Sequence, residues 1–89
     1  MLSLNQLQKR IFDYEHSYTP QSVELGMLRY AKIDILYWIK NKGQMKTEKQ
    51  IQDMIQRCKE EMLAYNSDND INYRAKKAQI EELEFVINN

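Results

Sequence analysis

Thr47-Glu48-Lys49-Gln50-Ile51-Gln52-Asp53-Met54-Ile55-Gln56-Arg57-Cys58-Lys59-Glu60-Glu61-Met62-Leu63-Ala64-Tyr65 is the stretch on which the fold turns. Ile51, Met54, Ile55, Cys58, Met62 and Tyr65 recur at three- and four-residue spacing. On a helix they fall within an arc of roughly 100°, with charge on the opposite face. Thr47 with Gln50 three residues on resembles a capping box, in which hydroxyl and amide side chains satisfy each other's backbone N–H. The pattern predicts an amphipathic helix over 47–65. One proline and two glycines in 89 residues leave little to interrupt helix elsewhere.

Upstream, the spacing predicts a helix over 20–41. Thr19 is its N-cap, Pro20 its first residue, and Gly43 the left-handed residue beyond its end. Leu25, Leu28, Ile35, Leu36 and Ile39 share one arc, and Val23, Met27, Tyr30, Ile33 and Tyr37 cover much of the other side. A helix apolar nearly all round is a buried one, so this helix is expected at the centre of the fold or to hold a partner surface. Gly26 costs roughly 1 kcal/mol against alanine inside a helix, which a close helix crossing would explain. Lys32 is expected to snorkel along the apolar arc, with a pairing to Glu24 or to an acid of the last helix as the alternative.

Ser3 and Gln6 form a second capping-box signature before Leu4, Leu7, Ile11 and Tyr14, predicting a helix over 4–15 that stops at Ser17-Tyr18-Thr19-Pro20. Asn66-Ser67-Asp68-Asn69-Asp70 is a turn cluster, with Asp68 or Asp70 as the next cap. A last helix over 70–87 carries Tyr73, Ile80, Leu83 and Ile87 on one stripe, and its Asn88-Asn89 end is expected to fray. The expected fold is all-α: one domain over 1–89, a small four-helix bundle whose third and fourth helices form an antiparallel hairpin.

A chain this short buries only about 60–65% of its unfolded surface, which supports a bundle but not a deep enzyme cleft. Thirteen basic side chains balance thirteen acidic ones, unlike a uniformly basic nucleic-acid binder. Cys58 is the sole cysteine, so no internal disulfide forms and a reducing, cytoplasmic setting fits. Met1 leads into a polar segment rather than a signal peptide. No window approaches eighteen apolar residues, so no spanning helix and no membrane partner are expected. Lysine outnumbers arginine, and Asn and Ile are frequent, a composition suggesting an AT-rich genome such as that of a phage or mobile element.

Cys58 lies in the core stripe and reads as a small buried hydrophobe. His16, the only histidine, stands at the exit of the first helix, so a Cys–His dyad is not expected. Glu81, Glu82 and Glu84 invite metal or acid–base chemistry. Adjacent positions project apart, however, and no His or Cys stands at ligand spacing, so a solvated helix end is expected. Acids there oppose the helix dipole, which favours a basic neighbour from the turn between the second and third helices or from a second copy. With no phosphate-cradling Gly loop, Ser/His/Asp set or metal-spaced cluster, no enzyme activity, catalytic residue, metal or cofactor is expected.

Residues 29–49 hold six basic side chains (Arg29, Lys32, Lys40, Lys42, Lys46 and Lys49) and two acidic ones (Asp34 and Glu48). Arg29 and Lys40 fall on the same helix edge. Tyr37 and Trp38 sit among these charges, and aromatic–basic mixing suits single-stranded or flipped-out bases. The bland alternative is a solvated rim with the Trp38 ring buried.

Val23-Glu24-Leu25-Gly26-Met27-Leu28-Arg29, Ile39-Lys40-Asn41-Lys42-Gly43 and the helix opening at Lys46-Thr47-Glu48 together resemble the N-terminal half of the GatB/YqeY family. Leu28-Arg29 resembles that family's Leu-Arg pair. Thr47-Glu48 resembles its helix start, Arg57 and Lys59 its basic segment before Tyr65, and Ala78-Gln79-Ile80-Glu81-Glu82-Leu83 its acidic run. The likeness covers about residues 22–87. Asp68-Asn69-Asp70 departs from the family's Gly-Arg turn and Ile87-Asn88 from its Leu-Pro. The resemblance reaches the N-terminal helical domain only: the family's smaller C-terminal subdomain, linked to tRNA contact, is expected to be absent, which weighs against direct tRNA binding.

The resemblance implies a noncatalytic module of the tRNA aminoacylation or amidation machinery, contacting tRNA or an aminoacyl-tRNA-synthetase-type protein through Arg29, Tyr37, Trp38, Lys40, Lys42, Lys46, Lys49 and Arg57. The alternative, resting on zero net charge, the expected lack of the tail subdomain and the apolar second helix, is a protein–protein interaction factor without RNA. It would act on a host protein or self-associate as a homo-oligomer, through an exposed patch of Met27, Tyr30, Ile33 and Tyr37.

Overall fold

The computed structural model describes residues 1–17, 22–65 and 67–89. Among these residues four helices and one tiny hairpin follow in order: α1 (Leu4–Glu15), α2 (Val23–Ile39), β1 (Lys40–Asn41), β2 (Gln44–Met45), α3 (Glu48–Met62) and α4 (Ile71–Asn88). The fold is all-α, a four-helix bundle.

Local capping chemistry sets the helix starts. Ser3 Oγ accepts from the Gln6 N–H at 3.2 Å while Gln6 Oε1 accepts from the Ser3 N–H at 2.8 Å. Thr47 and Gln50 repeat both bonds at the same distances ahead of α3. The Asp70 carboxylate accepts from the Asn72 N–H at 2.8 Å and opens α4. Each cap satisfies N–H groups that a helix start would otherwise leave without partners.

The second helix departs from expectation at both ends. Thr19 and Pro20 lie outside the described residues. Ser22 is extended, accepts from the Leu25 N–H at 3.1 Å, and starts the helix at Val23 rather than at 20. At the other end α2 stops at Ile39, and the chain folds into an antiparallel pair, Lys40 opposite Met45 and Asn41 opposite Gln44. The Lys46 N–H donates to the Ile39 carbonyl at 2.8 Å and extends this pairing. Lys42 and Gly43 form the two-residue loop with φ of 51° and 81°. Both central residues of such a tight turn are left-handed, which glycine tolerates freely and lysine uncommonly. Gly43 is thus left-handed as expected, but it closes a hairpin instead of ending a helix. α3 also ends earlier than expected, at Met62 rather than Tyr65.

Cross-links give the helix directions. Glu24 pairs with Arg74, and Gln79 Nε2 donates to the Ala31 carbonyl at 3.0 Å, so α2 and α4 run parallel. Lys76 meets Glu61 at 2.6 Å across the antiparallel α3–α4 pair. The Leu2 N–H donates to the Val86 carbonyl at 2.9 Å, and Arg10 reaches Glu82, so α1 is antiparallel to α4. Leu7, Leu36, Ile39, Ile51, Cys58, Leu83 and Val86 form the most deeply buried core.

α4, not α2, is the central helix, since α2 and α3 each pack along α4 rather than along one another. The N-terminal half of α2 leaves Val23 82% and Tyr30 65% exposed, with Leu25 and Met27 exposed between them. Gly26 does not sit at a close crossing: a Cβ added there would meet nothing within 4 Å. Gly26→Ala is therefore expected to stabilise the protein by about 0.5–1 kcal/mol, by restricting the unfolded chain and improving helix propensity. Urea denaturation should show a raised midpoint at unchanged slope; a lowered midpoint would contradict the open space.

Candidate functional site

The hairpin between α2 and α3 gathers Trp38, Lys40, Lys42 and Lys46 at one corner of the molecule. Trp38 is half-buried and packs against the core. Lys46 Nζ lies 5.1 Å from the centroid of its ring, within cation–π range. A cleft of about 380 Å³ remains between α2 and α3, lined also by Lys76 and Gln79 of α4. Ile35, Trp38, Met54 and Cys58 supply its apolar wall, and Asp34, Arg57 and Gln79 its polar one. A neighbouring hollow of about 220 Å³ shares Trp38, Met54 and Arg57 and adds Gln50 and Asp53.

The cations of this corner differ in what they face. Arg57 Nε donates to Glu61 at 3.1 Å, and Lys76 reaches the same carboxylate. Hydrogen bonds from Lys76 and then Arg57 hold the Glu61 carboxyl below the usual glutamate range. Lys49 meets Asp53 at 3.4 Å. Lys40, Lys42 and Lys46 have no acidic partner among the described residues. Cys58 is buried, and desolvation pushes its thiol up, which keeps it protonated. His16 caps the end of α1, its Nδ1 2.9 Å from the Phe12 carbonyl and its ring stacked on Phe12 at 3.9 Å. Among the described residues no group of three or more His, Cys, Asp or Glu is placed to hold a metal, and no helix is long and apolar enough to cross a membrane.

Not every residue of the expected surface joins this corner. Tyr37 donates from its hydroxyl to Glu15 at 3.0 Å, and Arg29 Nη1 donates to Ser17 Oγ at 3.2 Å. Tyr37 thus ties α2 to α1, and Arg29 ties it to the chain just past the end of α1. Lys40 has left the helix for β1, so it no longer shares a helix edge with Arg29. Of the expected apolar patch, Met27, Tyr30 and Tyr37 are exposed, but Ile33 is only 9% exposed and drops out. Val23 and Leu25 take its place on the exposed part of α2; Leu25 had been expected in the core arc. Lys32 holds its ammonium 5.8 Å from the Tyr14 ring centroid, while Glu24 pairs with Arg74.

Glu82 corrects the expectation of a solvated acidic helix end. Glu81 and Glu84 are exposed, but Glu82 is 3% exposed. Arg10 Nε donates to Glu82 Oε2 at 2.7 Å and Arg10 Nη2 to Oε1 at 3.1 Å, and the Tyr14 hydroxyl also donates to Oε1. The Arg10 guanidinium lies 3.8 Å from the Phe85 ring centroid. The basic neighbour of this helix end is thus supplied by α1. Burial, followed by the hydrogen bond to Glu82, pushes the Tyr14 phenol up to about 12. Burial works against the Arg10 charge, but the hydrogen bond and charge of Glu82 prevail and raise its pKa. The Arg10–Tyr14 spacing of four residues was a visible hint that the two share a helix face; their common partner was not visible.

Fold and site define a small all-α protein with a lysine-bearing hairpin beside a tryptophan-lined cleft. No family model, no curated protein and no solved structure matches the chain.

Proposed function

We propose that this protein is a noncatalytic binding module that contacts RNA through the α2–α3 hairpin, in the tRNA aminoacylation or amidation setting that its resemblance to GatB/YqeY proteins implies. The observation that carries this reading is a hairpin bearing three lysines without acidic partners among the described residues, Lys40, Lys42 and Lys46, the last of them over the Trp38 ring. Cations already neutralised by neighbours gain little from phosphate, whereas unpaired ones release counterions when they meet it. Lys49 and Arg57, with their own acids at hand, contribute less.

The test is labelled tRNA titrated by fluorescence anisotropy at 50 and 200 mM salt. Three phosphate contacts at a slope near −0.7 each for single strands correspond to a loss of about 20-fold in affinity over that range. The triple charge reversal Lys40→Glu, Lys42→Glu, Lys46→Glu is expected to weaken binding by at least that factor and to flatten the salt slope. Unchanged affinity removes the RNA reading.

A second reading is favoured by Val23, Leu25, Met27 and Tyr30, which lie exposed along the N-terminal half of α2. These side chains suit a protein partner, whether a synthetase-type protein, another host protein or a second copy. A pull-down with and without RNase separates the two readings: an RNase-resistant protein partner supports this one.

A further inference from the structure

The cleft beside the hairpin is more specific than a charged surface. Resting on the reading that this corner meets RNA, we propose that the cleft between α2 and α3 accepts an unpaired nucleobase stacked on Trp38. The preferred RNA is then a strand with an unstacked base rather than a continuous duplex.

Size comes first. About 380 Å³ falls within the usual range of small-ligand pockets, roughly 300–1,000 Å³. Trp38 packs against the core, and Lys46, which stands over its ring, would swing aside toward a flanking phosphate as a base stacks there. Base–aromatic stacking is a principal means of gripping single-stranded RNA, and every base offers a flat face to it. Arg57 lines both hollows. Its Nε bond to Glu61, which Lys76 also grips, restrains the guanidinium plane, and a restrained guanidinium is a second stacking surface.

The polar wall adds a preference. Asp34 is exposed at the cleft and has no partner among the described residues. A free carboxylate accepts from exocyclic amines, as acidic side chains do from cytosine. This favours amino-bearing bases over uracil.

Trp38 and Asp34 alone would also suit a lysine or arginine side chain of a protein partner. The lining charges balance, however, Arg57 and Lys76 against Asp34 and Glu61, and Lys46 stands over the ring. A cationic side chain would have to shed the hydration of a full charge to enter, while a neutral planar base would not. Lys46 at the ring, with Lys40 and Lys42 on the same hairpin, would meet the flanking phosphates. A duplex hides its base faces in its own stack and cannot enter.

Trp38 is the only tryptophan, so its emission reports occupancy directly. The protein is titrated with oligocytidylate, oligouridylate, an abasic ribose-phosphate strand of equal length and a blunt RNA duplex, reading both tryptophan emission and anisotropy of the labelled strand. Saturable quenching by oligocytidylate, weaker quenching by oligouridylate and none by the duplex are expected. Affinity for oligocytidylate should exceed that for the abasic strand by about ten-fold or more. Asp34→Asn, at an exposed position, should reduce the cytidine-over-uridine preference, and Arg57→Gln should weaken the single strand without altering abasic binding by more than about two-fold. Trp38→Phe, chosen because alanine would open the core beside it, should retain part of the affinity. Equal binding of abasic and base-bearing strands with unmoved emission overturns the cleft proposal while leaving the hairpin reading intact. Absence of binding by any strand at 50 mM salt overturns both.

Discussion

Arg10→Ala is expected to destabilise the protein by about 3 kcal/mol, because it leaves a carboxylate buried without its counter-charge. Glu82 is nearly inaccessible, and two of its contacts come from Arg10. The Arg10 side chain itself is partly open to solvent, which places the expectation at the lower end of the range for broken buried pairs. A domain of this size holds only about 5–10 kcal/mol in total, and each kilocalorie moves the melting midpoint by about 4–8 °C. A drop of roughly 12 °C or more in thermal denaturation is therefore expected. Lys9→Ala is the control. Lys9 meets Asp13 at 3.4 Å on the open face of the same helix, where such pairs are worth little. The joint replacement Arg10→Met with Glu82→Leu should recover most of the loss, since removing both charges also removes their desolvation. If Arg10→Ala and Lys9→Ala behave alike, burial of Glu82 is not what anchors α1.

The same cluster has an alkaline signature. The Tyr14 phenol titrates near 12 in the folded protein against about 10 in an unfolded chain. The folded state thus favours the protonated phenol. Its contribution is fully present below pH 10 and is lost as pH rises from 10 toward 12. Tyr14→Phe should be less stable than the parent at pH 8, and the difference should shrink as denaturation is repeated between pH 10 and 12.

Leu83→Ala is expected to cost about 3 kcal/mol, as the loss of a fully buried leucine removes both transfer energy and packing. Leu83 is 0% exposed on α4, the helix against which α2 and α3 both lie. A cavity there would open into the buried cluster to which α1, α2 and α3 also contribute, and movement of one helix would fill it poorly. Leu63, at the end of α3, is 84% exposed, and Leu63→Ala should change stability by no more than about 0.5 kcal/mol. Chemical denaturation of the two variants makes the comparison. Similar losses at both positions would contradict the central placement of α4.

The features legible in the sequence share one property: their physics is local. The capping pairs Ser3–Gln6 and Thr47–Gln50 act over three residues, so the starts of two helices could be read directly, and the cap of α4 was narrowed to Asp68 or Asp70, of which Asp70 serves. The stripe Ile51–Cys58 marked the inward face of α3 because helical periodicity needs no partner to be visible. Where a local signal had two uses, reading it was not enough. Gly43 announced a left-handed residue, yet a helix end and a tight hairpin both call for one, and only the Lys40–Met45 pairing separates them.

Much of the candidate site was legible as composition. The lysines and the tryptophan lie close together in the chain, and the hairpin keeps them close in space. Their division was not legible. Lys49 and Arg57 are met by acids, while Arg29 and Tyr37 turn toward α1.

The sequence by itself therefore determined four helices, most of their boundaries, an all-α class and a cysteine in the core. Tertiary structure alone decided which helix is central, since α2 carries more apolar residues than α4 yet leaves several of them exposed. It also buried Glu82, whose partner Arg10 lies 72 residues away, and opened the Trp38 cleft by seating α2 and α3 on α4 instead of on each other. Propensity and capping act through bonds and near neighbours. Burial depends on which surfaces meet, and that is settled only when the whole chain is packed.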